Sequence, residues 1–167
     1  FADIVEKDFV YRGKKPVYWS IPCHTALAEA EVEYQDHVSQ SVFVKFPVVG
    51  EQNMSLLIWT TTPWTLPANL AVAYNSTFDY TMVLAEGEVY IVSVMLLDKV
   101  ADICGWGGFE IMRTVHPEEF AEFEYCHPFC DRTGKLFPGD SFVTNDTGTG
   151  FVHIAPGHGA DDYHLGL

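Results

Sequence analysis

Between residues 41 and 94 the chain is cut into short apolar runs of strand length, and this restricts its fold more than any other feature. SVFVKFPVV (41–49) alternates and is rich in β-branched residues, as a half-buried strand requires. SLLIWTT (55–61) is apolar without alternation, which predicts a strand covered on both faces. LAVAY (70–74), DYTMVLA (79–85) and EVYIVSV (88–94) read as further strands, the last two joined by an EG turn. FEIMRTV (109–115) and GFVHIAP (150–156) extend the series. Between Met95 and Cys104, Leu96, Leu97, Val100 and Ile103 fall at helical spacing, with Gly105 placed to stop the helix. GADDYHLG reads as the start of a second helix, with an aspartate near its N-terminus. Many short strands with few helices predict a closed or strongly curved sheet, with the helices packed outside it.

The 167 residues suit one domain with a substantial core, and 48% of them are hydrophobic. No apolar stretch is long enough to span a membrane, and no signal peptide is visible. The start at Phe1 rather than Met suggests a fragment of a longer protein. The net charge of −14 argues against a free-standing nucleic-acid binder, because phosphate contacts demand Lys and Arg. The one basic cluster, Arg12, Lys14 and Lys15, fits a solvated loop. Cys126 and Cys130 flank His127 in CHPFC, but with Cys23 and Cys104 they form no paired metal-binding spacing. We expect free thiols, no zinc, and a cytoplasmic or organelle-matrix setting.

Two segments carry residue types suited to chemistry. TTTPWTLPAN (60–69) packs hydroxyls, prolines and a tryptophan into one loop after a buried strand. At a strand's end Thr61 should face away from Thr60 and Thr62. Pro63 and Pro67 stiffen the loop, and Trp64 offers an apolar wall. The same run also fits a proline-rich turn whose threonines merely satisfy backbone groups. GTGFVHIAPGHGADDYHLG (148–166) brings His153, His158 and His164 close to Asp161 and Asp162 in a glycine-rich stretch. Gly157 and Gly159 allow sharp turns and close approach to a ligand. These histidines and aspartates could ligate a metal, but the spacing is no familiar ligand pattern, and an aspartate capping the following helix explains one of the two carboxylates. No GxSxG, P-loop or dinucleotide fingerprint is present.

Together LIWTTTPWTLPAN and GTGFVHIAPGHGADDY resemble the paired signatures of the editing (CP1) domain inserted into isoleucyl-tRNA synthetases, of the class I synthetase family. KKPVYWS, TALAEAEVEY (25–34), HPF (127–129) and DTGTG (146–150) also fit, so the resemblance covers nearly the whole chain. Related valyl and leucyl enzymes carry arginine after two threonines in this loop. Here Thr62 stands at that place and Trp64 follows Pro63, which is the isoleucyl pattern. Thr147, where alanine is expected, and the bulky Phe142 are small departures.

The resemblance implies a mixed, β-rich α+β fold with a β-barrel core and peripheral helices, residues 1–167 being one editing domain of a larger synthetase. It implies hydrolysis of valine esterified to tRNA(Ile), by a positioned water and without metal or cofactor. Thr60, Thr61 and Thr62 would bond the ribose, the carbonyl and the water. Asp162 would bind the α-ammonium, His153 would limit side-chain size, Trp64 would line the pocket and Asn69 would support the loop. The nucleotide-binding signatures of the synthetic site are absent, so this chain would not activate an amino acid. Its partners would be the acceptor end of tRNA(Ile) carrying valine and the remainder of the synthetase, with no membrane and a monomeric isolated domain. A non-catalytic, tRNA-contacting insertion is the alternative, and a free-standing hydrolase is disfavoured by the acidic charge.

Overall fold

A computed structural model describes all residues from Phe1 to Leu167. After helix α1 (Ala2–Glu6) come a small antiparallel pair, β1 (Tyr18–Ser20) and β2 (Thr25–Leu27), and then β3 (Val42–Pro47) and β4 (Met54–Thr60). A 3-10 helix (Pro63–Ala68) leads into β5 (Ala71–Tyr74), β6 (Tyr80–Ala85) and β7 (Glu88–Ser93). Helix α2 (Leu97–Cys104), β8 (Phe109–Val115), β9 (Glu124–Cys126), β10 (Thr133–Pro138), β11 (Phe151–Ile154) and α3 (Ala160–Leu165) complete the chain. No residue before Phe46 is fully buried, and of that stretch only Phe43 and Val44 of β3 pack against the core. No helix is long and apolar enough to cross a membrane.

The strands form a five-stranded sheet, β3-β4-β7-β6-β8, and a four-stranded sheet, β11-β5-β10-β9. Both are mixed, with β4 parallel to β7 and β5 parallel to β10. The unbroken apolar run in β4 is explained by its place between the four-stranded sheet on one face and α2 on the other. Leu56 and Ile58 enter the core shared by the sheets, with Phe46, Val72, Tyr80, Ile91 and Phe151. Leu57 points the other way, toward Val83, Val92 and the inner face of α2, where Leu97 and Val100 are buried. Ile103, assigned to that face by spacing, is 69% exposed, while Gly105 ends the helix in the left-handed conformation (φ 69°) as its position predicted.

The sheet-rich α+β architecture is as expected, but the strand ladders close into no barrel. β11 packs against β4 without pairing with it, and β7 pairs with β4 only over Met54–Leu56, so the ladder stops short of closure. At the other side a single bridge, Val48 to Tyr125, joins the chain after β3 to β9. The result is two open sheets pressed together.

An aromatic cluster seals one end. Tyr80 packs on Phe120 and Phe151 at 4.9 Å from each ring centre. Its hydroxyl donates to the carbonyl of Gly150 (2.8 Å) and accepts from the amide of Asn75 (2.9 Å), so the buried phenol is fully used. This pins the DTGTG segment to the core. Gly150 has φ +87°, and a Cβ there would lie 2.6 Å from the Cβ of Ser93. Gly150→Ala therefore combines a left-handed penalty with overpacking, and we expect a loss of about 2–4 kcal/mol in denaturant unfolding.

Candidate functional site

Where β4 ends, its last residues and the 3-10 helix meet β11 and the N-terminal turn of α3. Between them lies a pocket of about 150 Å³ lined by Trp59, Thr60, Thr62, Thr65, Val152, His153, Ala155, His158 and Asp162. Strand alternation sorts the threonines. Thr60 is buried, and its Oγ accepts the Thr62 amide (3.1 Å) and lies 3.3 Å from the Thr62 hydroxyl. Thr61, facing the opposite way, is exposed and stands outside the pocket.

Thr65 was not singled out by the sequence, yet it joins the two segments. A 3-10 helix repeats every three residues, so Thr65 stacks over Thr62, and that spacing was the available signal. Its hydroxyl donates to the Thr62 carbonyl (2.9 Å) and lies 2.9 Å from Nε2 of His153. The single hydroxyl proton is used on the carbonyl, so Nε2 must be the donor to Thr65. His153 is thus a neutral imidazole with its proton on Nε2, and the bare Nδ1 is buried without a partner. Burial also drives the ring's pKa below the ordinary imidazole range, against the opposing pull of Asp162. Neither Thr65 nor His153 can then act as a nucleophile–base pair, because the bond between them runs in the wrong direction. Thr65→Val would leave the buried His153 N–H unpaired, while the Thr62 carbonyl keeps only the Thr65 amide (3.0 Å). We expect it to cost about 1–3 kcal/mol of stability in urea unfolding.

Asp162 is half-buried in the first turn of α3. The helix is capped by Gly159 without a side-chain bond, so neither aspartate is the N-cap that the sequence suggested. Asp162 Oδ1 instead accepts the backbone amide of Ala155 at 2.7 Å. Its second oxygen occupies the space a side chain at residue 159 would need, which accounts for glycine there. Asp161 is exposed and belongs to a different depression, with Asp140 and His164. No group of three or more His, Cys, Asp or Glu side chains converges as a metal cage would.

Of the other expected site residues, Asn69 is 1% exposed and ties the loop down, donating to the Ala71 carbonyl (2.7 Å) and accepting the Tyr125 hydroxyl (2.6 Å). Trp64 is 69% exposed and lies outside the pocket, whose apolar surface comes from Trp59, Val152 and Ala155. Proline at the first helical position turns the chain so that Trp64 and Thr65 diverge. The pocket therefore offers hydroxyls, one carboxylate and the imidazoles of His153 and His158 around a small volume, a set suited to holding a cationic, ester-bearing group and a water.

Residues 1–147 match the family model described as tRNA synthetases class I (I, L, M and V). The isoleucine–tRNA ligase of Petrotoga mobilis is 50% identical over 163 residues, covering 98% of this chain and 18% of that protein. The isoleucine–tRNA ligase of Latilactobacillus sakei is 46% identical over 171 residues, covering 99% of this chain and 18% of that protein. The chain thus spans about a fifth of these relatives' length. Among solved structures, the editing domain of the Plasmodium falciparum cytosolic leucyl-tRNA synthetase superposes with a TM-score of 0.59 at 17% identity, covering 69% of this chain and 46% of that one. A second crystal form of it gives 0.56 at 16% identity over 69% of this chain and 45% of that one. The fold is that of a synthetase editing domain.

Proposed function

The chain belongs to the class I tRNA synthetases of the isoleucine, leucine, methionine and valine group, and from that premise we propose that it is the editing domain of an isoleucine–tRNA ligase. In this reading it hydrolyses valine from tRNA(Ile). The observation that carries the proposal is the convergence of Thr60, Thr62, Thr65, His153 and Asp162 on one pocket.

The need is a discrimination problem. One methylene in an apolar pocket is worth about 1–3 kcal/mol, a limit for which isoleucyl-tRNA synthetase is itself the standard illustration. A second pocket that admits valine and excludes isoleucine multiplies that selection. Asp162, already ordered by the Ala155 amide, pairs its carboxylate with the α-ammonium of the esterified valine. Thr60 and Thr62 present hydroxyls toward the ester carbonyl and the attacking water, and Thr61, on the other side of the strand end, faces the ribose. The water oxygen attacks the carbonyl carbon and the bond to the ribose oxygen breaks. That oxygen takes a proton, assisted by the neighbouring ribose hydroxyl, and free valine leaves. The protein's share is positioning and hydrogen bonding, not covalent capture. His153, held by Thr65, sets the depth available to the side chain.

The excess of twenty-three acidic over nine basic residues leaves tRNA affinity to the rest of the parent enzyme. The test is deacylation of valyl-tRNA(Ile) by the full-length enzyme with Thr60 and Thr62 both changed to valine. The proposal expects the rate to fall to the uncatalysed level. A wild-type rate would favour the alternative of a non-catalytic insertion that only contacts tRNA.

A further inference from the structure

The loop that carries the threonines has few internal bonds. Its 3-10 helix is six residues long, and Pro63 and Pro67 each lack an amide to donate. At its C-terminal end the Leu66 carbonyl keeps only the Asn69 amide inside the loop, and a single hairpin that the strand pattern did not reveal braces the Leu66 and Pro67 carbonyls from outside. β9 and β10 are joined by residues 127–132, closed by the His127 amide on the Arg132 carbonyl (2.9 Å). From this hairpin three side chains reach the loop. His127 Nε2 donates to the Leu66 carbonyl (2.8 Å), the Arg132 guanidinium donates to the Pro67 carbonyl, and the Tyr125 hydroxyl reaches Asn69.

His127 makes the most bonds of the three. It is 5% exposed, and its ring stands edge-on to Phe129 at 4.7 Å. Nδ1 lies within reach of the amides of Phe129 (3.3 Å) and Cys130 (3.1 Å) and can only accept from them, so Nε2 carries the proton. A neutral, single-tautomer imidazole therefore grips Leu66, the neighbour of Thr65, which holds His153. The line from His127 through Leu66 and Thr65 to His153 crosses one turn of helix and ends at the pocket.

We propose that the β9–β10 hairpin is the buttress of this pocket and that His127 is a positioning residue for it. His127 touches no substrate. It sets where the Thr65 hydroxyl stands, and so where the threonines and His153 stand relative to the reacting ester. The inference rests on the editing reading given above for its catalytic consequence, while the structural consequence stands apart from it.

The experiment compares His127→Leu, His127→Gln and Arg132→Met in the full-length enzyme. Glutamine places an amide N–H where Nε2 was, whereas leucine keeps the bulk and loses the donor. Two readouts are taken, valyl-tRNA(Ile) deacylation and amide hydrogen exchange across residues 62–69 by mass spectrometry. Misplaced groups cost rate more than affinity, so His127→Leu should lower kcat on the order of 10- to 100-fold with KM within about threefold. Exchange should quicken at the Thr65 and Asn69 amides, which bond within the loop. His127→Gln should recover most of both. The proposal is overturned if the leucine variant keeps wild-type kcat and exchange, or if glutamine is as damaging as leucine. Should the leucine variant fail to fold, Arg132→Met carries the same expectations for the Pro67 end of the loop, and wild-type values there overturn the proposal equally. If the unaltered enzyme does not hydrolyse valyl-tRNA, the editing reading falls, and the exchange data still decide the buttress.

Discussion

Asp162→Asn is expected to reduce valyl-tRNA(Ile) deacylation by roughly 30-fold to several-thousand-fold while leaving the fold intact. The carboxylate has two duties, and the substitution separates them. One oxygen accepts the Ala155 amide at 2.7 Å, which fixes the turn between β11 and α3. An asparagine oxygen can keep that bond, so stability should change by less than about 1 kcal/mol. The other duty requires negative charge. A buried ammonium deprived of its counter-ion costs about 2–5 kcal/mol, which corresponds to a loss of roughly 30- to several-thousand-fold in kcat/KM. Asp162→Ala loses both duties, and should be less stable as well as inactive. The measurement is single-turnover deacylation beside a urea titration of each variant. A wild-type rate in Asp162→Asn would remove this residue from the site.

The order of strands from Val42 to Ser93 was legible because both sheets bury one face of each strand, or both, and the apolar period follows directly. β9 and β10 were not legible. EYC is three residues long and TGKLFP alternates poorly, because β10 earns its place by pairing with β5 and β9, which no local pattern records. The barrel expectation failed for a similar reason. Closure depends on pairing between distant strands, and β11 meets β4 by packing and not by a hydrogen-bonded ladder. At the site, Thr60, Thr62, His153 and Asp162 were found as residues, and the structure brings them to one pocket. Trp64 was chosen for its chemistry, but the turn at Pro63 sends it outward. Thr65 was passed over because its importance comes from a partner 88 residues away in the chain. His127 enters the sequence reading as a possible metal ligand and as part of HPF, with no role assigned, and its actual bonds are to backbone groups of its own loop and of the threonine loop.

His153→Ala is expected to turn a selective pocket into a permissive one, with isoleucyl-tRNA(Ile) becoming a substrate. The ring is 7% exposed and stands on β11 between Thr65 and the region of Asp162. Removing it frees more volume than the single methylene that separates isoleucine from valine. The exclusion should therefore be lost over the about 1–3 kcal/mol that a methylene commands, a 10- to 200-fold gain in isoleucyl ester hydrolysis. Thr65 keeps its bond to the Thr62 carbonyl, so the hydroxyl set and Asp162 remain in position and valyl ester cleavage continues. A second signature comes from acid. Burial lowers the pKa of His153 in the folded state, so the unfolded chain takes up the proton first. The stability held by the neutral ring is present above the ordinary imidazole range, and is lost as pH falls through that range toward the lowered folded value. His153→Ala should flatten this part of the stability–pH curve while it opens the pocket. Continued protection of the isoleucyl ester in this variant would show that another wall limits the side chain, and Val152 and Trp59 would then be the residues to change.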